Sequence, residues 1–524
     1  MLQSFYTAFT GLNAEKNWLS VISDNIANVN TIGFKAERAV FEDLLASSVT
    51  TYNNNSPKNK EIGGGVFVSS TVKDFSQGTF MNTNNPLDMA LDGEGFFMVK
   101  SNDGLTYYTR NGQFRLDANG DIINMLGMKI QGWMLDDKGN MAGAISNVNV
   151  AMSMDPKVTK MVAFKEPSNL DSRVGVITSA FDPADSTTFN YVNSQTVYDS
   201  LGNPHTLSYF FQKIDTGEWK VYTMMDGSLI PVKDAASGQY YKNIILKFDD
   251  NGMPTSATLD TQVTLTQNES LAAATPGTFT LTNLPVIGSI HIKSVDGVTM
   301  NIHDLGDGDG DGKGDLVDDN GNVVGTVDYT TGTITLTGDL SNSSNLTVDY
   351  LNSETAGTAE ADFKDILVSG YDPNTGATSP FQFTVNYNGM RQLASDFIFY
   401  AEQDGNSKGD LMSVSVSEDG IVKASYSNGK VKDIARLAIA TFKDKEILVR
   451  KGSWLYLPNQ QTFTPVIMPG GVISKVRSGM LEMSNVDIAS EFINLITAQR
   501  AYQANARVIT TDDQILQETM NIKR

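Results

Sequence analysis

The stretch from Ser484 to the C-terminus constrains the fold more than any other part of the chain. From Met480 onward the sequence has no Gly and no Pro, so no residue there breaks a helix. Side chains at alternating steps of four and three form a heptad stripe that is apolar except at two positions. The stripe comprises Ile488, Phe492, Leu495, Gln499, Tyr502, Ala506, Ile509, Asp513, Leu516 and Met520. The pattern predicts one helix over 484–520, about 55 Å long at 1.5 Å per residue.

The start of this helix and its second face are also predictable. Ser484 or Asn485 is the expected N-cap, which places Asp487 in the first turn, where a carboxylate favours the positive helix end. A second apolar line runs beside the heptad stripe and comprises Ala489, Ile493, Ile496, Val508 and Ile515. One narrow seam does not need this much apolar surface, so we expect the helix to contact more than one neighbour.

The N-terminal end of the chain repeats the same spacing. Its stripe comprises Leu2, Phe5, Phe9, Leu12, Lys16, Leu19, Ser23 and Ile26. The following residues, 28–31 and Gly33, tolerate left-handed geometry and predict the helix end. Two core helices of an ordinary globule would account for both stripes, but the two helices bracket a long β-rich chain. We therefore predict that the terminal helices pair as a coiled coil and close an inserted body.

Several motifs stand out at the two ends of the chain. The N-terminal motifs are Ser4-Phe5-Tyr6-Thr7-Ala8, Thr10-Gly11-Leu12-Asn13-Ala14, Ser23-Asp24-Asn25-Ile26-Ala27-Asn28-Val29-Asn30-Thr31 and Gly33-Phe34-Lys35. The C-terminal motifs are Leu481-Glu482, Ser484-Asn485-Val486-Asp487 and Gln499-Arg500-Ala501-Tyr502-Gln503-Ala504-Asn505. These matched motifs resemble those of the bacterial flagellar axial family of rod, hook and hook-associated proteins. Tyr108-Thr109-Arg110-Asn111-Gly112 also resembles a motif of that family's first β domain.

The resemblance implies a structural subunit that stacks helically into a tube, with the terminal helices as the inner layer. The large inserted body favours a hook subunit, a flexible joint that transmits motor torque, over a distal-rod subunit. The implied partners are other copies of the chain, rod and hook–filament junction proteins, and the hook cap and export apparatus during assembly. The implied self-assembly residues are Leu2, Phe5, Phe9, Leu12, Leu19, Ile26, Ile488, Phe492, Leu495, Tyr502, Ile509, Leu516 and Met520.

Composition and charge limit the other partners. The chain has 524 residues, no cysteine and a formal net charge of −21. The negative charge argues against nucleic acid and anionic membranes, and the missing thiols exclude disulfides and thiolate metal sites. No signal peptide starts the chain and no apolar run is long enough to span a bilayer. The resemblance nevertheless implies an extracellular flagellar location, reached through the flagellar export channel without a cleaved signal.

The predicted fold class is multidomain α+β, mainly β, with nested β domains between the paired helices. We expect a helical coiled-coil domain at 1–33 and 484–524 and extended connecting segments at 34–76 and 475–483. An inner β domain is expected at 77–156 and 398–474. Outer β structure is expected at 157–397, with a further candidate subdomain at about 276–355.

Turn and alternation patterns support the β assignment. Asn119-Gly120 separates two apolar triplets and predicts a hairpin. Met412, Val414 and Val416 alternate with serines, as in a strand with one buried face. Glu418-Asp419-Gly420 is the expected turn after that strand.

One acidic loop in the outer region is a candidate calcium site. Asp307, Asp309, Asp311, Asp315 and Asp318 occupy loop positions 1, 3, 5, 9 and 12, with Gly312 at position 6. A hard cation needs six to eight oxygen ligands, and this spacing wraps carboxylates around one point. A solvated Asp/Gly turn is the alternative, because position 12 is Asp rather than Glu and no helix flanks the loop. No other cofactor is expected.

No catalytic constellation stands out. The three histidines are His205, His291 and His303, and none has a Ser or Cys partner at a recognisable spacing. His303-Asp304 could be a metal pair, although a surface pair is the simpler interpretation. We therefore predict that the chain is not an enzyme. The alternative from another class is a calcium-binding extracellular module, which would leave both terminal stripes unexplained.

Overall fold

The computed structural model describes residues 2–45, 47–53, 56–452, 454–459 and 464–522. The chain divides into two compact units. The terminal unit comprises Met1–Met154 and Asp410–Arg524, and the inserted unit comprises Asp155–Gly409. The structure is mainly β with one long helix near each end, so the predicted fold class is confirmed.

The helices and strands follow one another along the chain in three groups. The first part of the terminal unit contains α1 (Leu2–Ala27), β1 (Glu37–Asp43), β2 (Ser47–Asn53), β3 (Ser56–Ile62), β4 (Val66–Lys73), β5 (Phe80–Asn82), β6 (Met89–Gly93), β7 (Phe96–Lys100), β8 (Thr106–Thr109), β9 (Phe114–Leu116), β10 (Ile122–Asn124), β11 (Lys129–Leu135), β12 (Met141–Asn147) and β13 (Ser153–Met154). The inserted unit contains β14 (Met161–Phe164), β15 (Asn169–Asp171), β16 (Tyr191–Tyr198), β17 (Pro204–Asp215), β18 (Glu218–Met225), β19 (Ser228–Ile230), β20 (Val232–Lys233), β21 (Tyr240–Phe248), β22 (Pro254–Ala272), β23 (Thr278–Thr280), β24 (His291–Val295), β25 (Val298–Asp304), β26 (Lys313–Asp318), β27 (Val323–Asp328), β28 (Thr333–Leu336), a 3-10 turn (Gly338–Leu340), β29 (Asn345–Ala361), β30 (Ile366–Tyr371), β31 (Phe381–Asn386), β32 (Arg391–Leu393) and β33 (Ala401–Gln403). The chain then returns to the terminal unit as β34 (Gly409–Val416), β35 (Ile421–Tyr426), β36 (Val431–Thr441), β37 (Leu448–Arg450), β38 (Leu455–Pro458), β39 (Val466–Pro469), β40 (Ser474–Ser478), β41 (Met480–Glu482) and α2 (Ile488–Ile522).

The β part of the terminal unit is organised around β7, β11 and β36, which pair with one another. Strand β7 is buried on both faces because alternate side chains enter different cores. Phe97 packs with Phe114 and Val414 in one core, whereas Phe96 packs with Phe442 in the other. Strands from both halves of the chain therefore share these cores, which holds the two ends of the sequence together.

The terminal unit contains the predicted Asn119-Gly120 hairpin and the strand with the predicted alternation at 412–416. The predicted hairpin is confirmed: β9 and β10 pair antiparallel around Gly120, whose φ is +82°. A Cβ on Gly120 would lie 2.0 Å from the Val150 carbonyl oxygen, so only glycine fits. In β34, Val414 and Val416 are buried as predicted, but Met412 is 73% exposed. A register shift between Leu411 and Ser413 leaves Met412 unpaired and turns it outward.

The stretch 34–76, for which composition predicts an extended connecting segment, folds back as two antiparallel ribbons. β1 pairs with β4, and β2 pairs with β3. The first ribbon lies against α1, where the rings of Trp18 and Phe41 meet edge to face at 5.6 Å. The second connecting stretch contains β40 and β41, which pair with β6 and β5.

The inserted unit contains two large cores linked by a long ribbon. The inner core surrounds Trp219, and the outer core is built from residues between Phe279 and Tyr350. Strands β22 and β29 pair along almost their whole length and contribute residues to both cores. Their ladder is interrupted by register shifts between Asp260 and Glu269, which increase local twist where the ribbon passes from one core to the other.

In the part of the chain that the structure describes, no helix combines the length and the hydropathy needed to cross a membrane.

Candidate assembly surface on the terminal helices

Helix α1 ends in a polar turn that leads the chain to the β part of the terminal unit. The Asn28 side-chain amide donates to the Asp24 carbonyl oxygen at 2.9 Å. Gly33 follows with φ +70°, and its N–H donates to the Glu482 carbonyl oxygen at 2.8 Å. A Cβ at this position would lie 2.7 Å from the backbone of Arg110. The glycine is therefore required both by its conformation and by the closeness of the neighbouring backbone.

Helix α2 is capped by Asp487, so the prediction of Ser484 or Asn485 as N-cap is wrong. The Asp487 carboxylate accepts a hydrogen bond from the Ala489 N–H at 3.0 Å and another from the Ser490 hydroxyl at 2.8 Å. These bonds, with the hydroxyl first, lower the pKa of Asp487. The Asn485 side chain is used elsewhere, because it accepts from the Ala36 N–H at 2.8 Å.

The two helices pair, as predicted, through a face made of small and polar residues. Ala8, Ala14 and Ala498 are almost completely buried. A Cβ added to Gly11 would lie 2.7 Å from the Asn505 side-chain nitrogen. Small side chains of this kind let helix backbones approach closely. The pairing face is thus the side of α1 that holds Ala8, Gly11 and Ala14 and the side of α2 that holds Ala498 and Asn505.

The predicted apolar stripe lies beside this pairing face, not in it. Several of its large side chains are exposed by between 37% and 74% in the single chain: Phe9, Ile488, Phe492, Tyr502, Leu516 and Met520. Others are half-buried: Phe5, Leu12, Leu19, Ile26, Leu495 and Ile509. The Leu2 side chain lies outside the described residues. Within the single chain the helices pair through the alanine face, and the role of the stripe in self-assembly stays a prediction.

The second apolar line of α2 is exposed as well. Ile493 and Ile496 are 66% and 51% exposed, and Val508 and Ile515 are also exposed. Together with the heptad stripe, these residues form what we call the exposed apolar surface of α2. Contiguous apolar surface of this kind marks an interaction site in a soluble protein. Polar residues that interrupt the stripes, Lys16, Ser23, Gln499 and Asp513, are exposed on the helices too.

A buried ionic cluster joins both helix connections to the β part of the terminal unit. Glu482, just before α2, accepts hydrogen bonds from the Lys35 ammonium at 2.7 Å and from the Arg110 guanidinium at 3.1 Å. The side chains of Lys35 and Glu482 are fully buried and that of Arg110 is 5% exposed. The same Glu482 carboxylate also accepts from the Gly78 N–H at 3.0 Å. The cluster therefore ties together four segments that are far apart in sequence.

The charges of this cluster are buried, so each of them needs its hydrogen-bond and ion-pair partners to stay in place. Burial lowers the pKa of the Lys35 ammonium, although Glu482 opposes the shift. The Lys35 ammonium also donates to the Ser76 carbonyl oxygen at 2.6 Å, and Arg110 donates to the Gly93 carbonyl oxygen at 2.7 Å. Sequence reasoning missed this cluster. The available signal was that each of three matched motifs carries one of its charged residues.

The acidic loop brings together three of its five predicted calcium ligands. Carboxylate oxygens of Asp307, Asp309 and Asp311 all lie within 4.8 Å of one another. Among the described residues, Asp315 and Asp318 lie outside this group. Asp318 caps its own turn by accepting from the N–H groups of residues 320 and 322. Bound calcium stays a prediction.

All three histidines are buried in the inserted unit, so the interpretation of His303-Asp304 as a surface pair is wrong. His303 Nδ1 lies 3.1 Å from the Ser228 hydroxyl, and its Nε2 lies 3.5 Å from Asp319. This order of groups resembles a nucleophile, a base and an orienting acid. However, Ser228 is 2% exposed and lines a cavity of only about 20 Å³, which has room for a water molecule but not for a substrate.

Four family models match consecutive parts of the chain. The flagella basal body rod protein model matches residues 5–35, and the flagellar hook protein FlgE/F/G D1 domain model matches residues 90–162. The flagellar basal body protein FlaE D2 domain model matches residues 169–406. The flagellar basal body rod FlgEFG protein C-terminal model matches residues 477–522. These matches define the class: a flagellar axial protein with two terminal helices and inserted β domains.

Whole-length relatives narrow the class. The chain is 29% identical to the flagellar hook protein FlgE of Salmonella typhimurium, over 99% of this chain and 100% of the relative. It is 28% identical to the flagellar hook protein FlgE of Borreliella burgdorferi, over the whole of both chains. The chain belongs to the flagellar hook protein family.

A solved structure of Helicobacter pylori flagellar hook protein FlgE2 also matches. It covers 77% of this chain and 100% of its own, with 14% identity and a TM-score of 0.35. A score at that level adds nothing to the fold described above.

Proposed function

We propose that this hook subunit polymerises into a tube through its terminal helices. The observation that carries the proposal is the exposed apolar surface of α2, where Phe492 and Ile493 are 49% and 66% exposed. Copies that cover this surface would remove it from water, which is favourable in proportion to the apolar area buried. The surface is wide enough for contacts with more than one neighbour. Such heterologous contacts build open helical polymers when the rotation between copies does not close.

The helix pair is suited to be a building block of this kind. Within one chain the helices pair through alanines and leave large apolar side chains outside. A groove of about 420 Å³ adjoins the pair, lined by Trp18 on α1, Arg38 on β1, Lys73 on β4 and Glu491 on α2. This groove combines an aromatic side chain with charges of both signs. The groove can therefore form hydrogen bonds and ion pairs with another copy, next to the exposed apolar surface of α2.

We infer the mechanical role, the location and the neighbours of this tube from the flagellar hook family to which the chain belongs. The tube acts as a flexible joint that transmits motor torque to the filament, and it lies outside the cell after export without a cleaved signal. Its neighbours are the rod, the hook–filament junction proteins, and the hook cap and export apparatus during assembly. The subunit works mechanically and not as an enzyme. The inserted unit supports this role, because its two cores give a folded body for contacts away from the helices.

Assembly of the purified chain tests the proposal. Electron microscopy of concentrated protein should show tubes, and sedimentation should show a large polymer above a threshold concentration. Ile493→Ser with Ile496→Ser should abolish the tubes while leaving the unfolding of the free chain unchanged. The matched control is Val298→Ser, since Val298 is 57% exposed on the inserted unit. Normal tubes from the double variant would contradict the proposal.

Protease protection provides a second test. Helices draw most of their stability from packing, and α2 is largely unpacked in the single chain. We expect proteases to trim both ends, about 1–30 and 484–524, quickly in the free chain and slowly in the polymer. Equal protection of both ends in the two forms would show that assembly does not stabilise the helices.

We also infer that the acidic loop can hold calcium, because three carboxylates converge there. Titration calorimetry with calcium should show binding that Asp309→Asn weakens, with Asp339→Asn on the same unit as control. No heat of binding in either protein would leave the loop as a solvated turn.

A further inference from the structure

The only three histidines of the chain lie in one cluster between the two cores of the inserted unit. His291 on β24 and His303 on β25 are directly opposite one another in the antiparallel ladder. Their strand neighbours Ile290, Ile292 and Ile302 point into the outer core. Because side chains alternate along a strand, both imidazoles point away from the outer core.

On that side they meet the inner core. The His291 ring stacks on the Tyr371 ring, with centroids 5.3 Å apart and planes 17° apart. It also stacks on the His303 ring at 5.1 Å and 12°. Tyr371 belongs to the inner core, and its hydroxyl donates to Asp226 at 2.8 Å. The stack of His303, His291 and Tyr371 therefore crosses from one core to the other; we call it the histidine stack.

The surroundings of His291 favour a neutral ring. His291 is 3% exposed, and its Nε2 has no hydrogen-bond partner among the described residues. The charged groups around it are Lys293 on its own strand, Asp349 opposite it on β29, and Asp372 after β30. Lys293 is hydrogen-bonded to Asp372 and lies 3.6 Å from Asp349, so these charges largely satisfy one another. Burial, followed by the nearby His303, lowers the pKa of His291 to about 3.

His303 has a similar but less enclosed environment. It faces Ser228 on β19, and the carboxylates of Asp226 and Asp319 lie near it. Burial lowers its pKa although both carboxylates oppose the shift. His205, on β17, behaves in the opposite way. Burial alone would lower the pKa of His205, but its hydrogen bonds to Asp226 at 2.6 Å and to Asp199 at 3.4 Å raise it.

We propose that the histidine stack is a pH-sensitive joint between the two cores of the inserted unit. With neutral rings, His291 and His303 hold the outer core on Tyr371. Protonation would place two cations face to face in a buried site with one ring nitrogen unpaired, which is costly. Acid therefore releases β24 and β25, the strands of the outer core that carry the stack, from the inner core and lets them open, while the inner core remains folded. The β22–β29 ribbon, with its register shifts, keeps the two connected after release.

The direction of the effect follows from proton binding. An exposed histidine has a pKa of about 6.5, so the released form binds more protons than the closed form below that pH. Release is therefore favoured as the pH falls from about 6.5 toward the pKa of the closed form. At pH 4.5 the equilibrium constant for release should rise on the order of 10- to 100-fold over its value at pH 7.5.

The other titrating groups nearby do not reproduce this response. His205 has a raised pKa, so its contribution to stability is present below about pH 6.5 and is lost only as the pH rises. Asp304 faces the outer core, and burial raises its pKa to about 6. Its protonation between about pH 3.9 and 6 favours the closed form, opposite to the histidines. Asp304 is the same in every variant below, so its effect cancels in the comparison, and the effect of His205 is tested directly by His205→Gln.

Hydrogen exchange on the full chain tests the joint. Amides of β24 and β25 should lose protection between pH 7.5 and 4.5, after correction for the intrinsic rate, by at least about tenfold more than amides of β17 and β18. His291→Phe keeps an aromatic ring in the stack but cannot be protonated, so it should reduce that difference several-fold. His205→Gln, the control, should leave the difference in place. An equal loss in both cores, or an unchanged difference in His291→Phe, would overturn the proposal.

The histidine spectrum gives an independent measurement that does not require a variant to fold. With three histidines, the chain has only three imidazole Cε1–H signals to follow by NMR. Two of them should remain neutral well below pH 6 and shift together with the loss of protection on β24. A spectrum in which all three titrate near pH 6.5 with the protection of β24 unchanged would also overturn the proposal.

Discussion

Trp219 in the inserted unit is fully buried among strands, whereas Phe492 on α2 is 49% exposed. Both lie in regular elements and both are large apolar residues. The difference is that Trp219 is surrounded by the inner core, with strands β17 and β21 paired to its own. Among the described residues, helix α2 packs mainly against α1, which covers its alanine face. The inserted unit completes its packing within one chain, and the helix pair does not.

This contrast indicates where the free energy of each region comes from. Burial within one chain stabilises the inserted unit whether or not other copies are present. The terminal helices gain most of their apolar burial only when other copies cover α2. Substitutions in the first region should therefore change the folding of the free chain. Substitutions on the exposed apolar surface of α2 should change assembly and leave folding almost unaltered.

The largest expected effect is in the inner core. Trp219→Ala removes a fully buried aromatic side chain and should lower the free energy of unfolding of the inserted unit by about 5 kcal/mol, the upper end for such a deletion. Denaturant unfolding of the free chain measures this loss. The control is Trp18→Ala on α1, where the ring is only half-buried. If both variants lost equal stability, the contrast between the two regions would not hold.

The next effect concerns the buried charges of the terminal unit. Glu482→Gln leaves Lys35 and Arg110 buried without a counter-charge. This should lower the free energy of unfolding of the terminal unit by about 3 kcal/mol. The value is toward the low end for a broken buried pair because the amide still accepts a hydrogen bond. Thermal unfolding of the terminal unit is the measurement. Glu418→Gln is the control, since its ion pairs with Lys475 and Arg477 are exposed. A Glu482 variant as stable as the control would show that the cluster carries no stability.

A smaller effect is expected on the pairing face. Ala498→Leu places a large side chain where α1 lies close, so it should overpack the helix pair and cost about 2 kcal/mol. Circular dichroism during denaturation reports the loss of helix. Ala504→Leu, at an exposed position of the same helix, should be nearly neutral. If the two variants behaved alike, the alanine face would not be the pairing face.

The smallest effect on the free chain should come with a large effect on assembly. Phe492→Ala should change the free energy of unfolding by less than about 0.5 kcal/mol, as is usual for exposed positions. The concentration needed for tube formation should nevertheless rise several-fold, because each copy buries less apolar surface in the tube. Light scattering against concentration measures this threshold. An unchanged threshold concentration would show that Phe492 does not contribute to assembly.

Several elements could be predicted because their signals are local. The heptad spacing of 484–520 predicted α2, and Asn119-Gly120 predicted the β9–β10 turn. The matched motifs at both ends predicted the family that the relatives support. The N-cap was placed wrongly because Ser484, Asn485 and Asp487 all suit a helix start, and the choice among them depended on distant groups such as Ala36 and Asp74 that hydrogen-bond Asn485.

The sequence by itself determined that helices end the chain, that β structure lies between them, and which residues of the helices are apolar. Only the tertiary structure decided which face of each helix is used within one chain. It also decided that Lys35, Arg110 and Glu482 meet in a buried site, and that the three histidines join two cores. The physical reason is range: periodicity, turn chemistry and capping act over a few residues. The choice of partner surface depends on packing between segments hundreds of residues apart, and spacing along the chain does not record it.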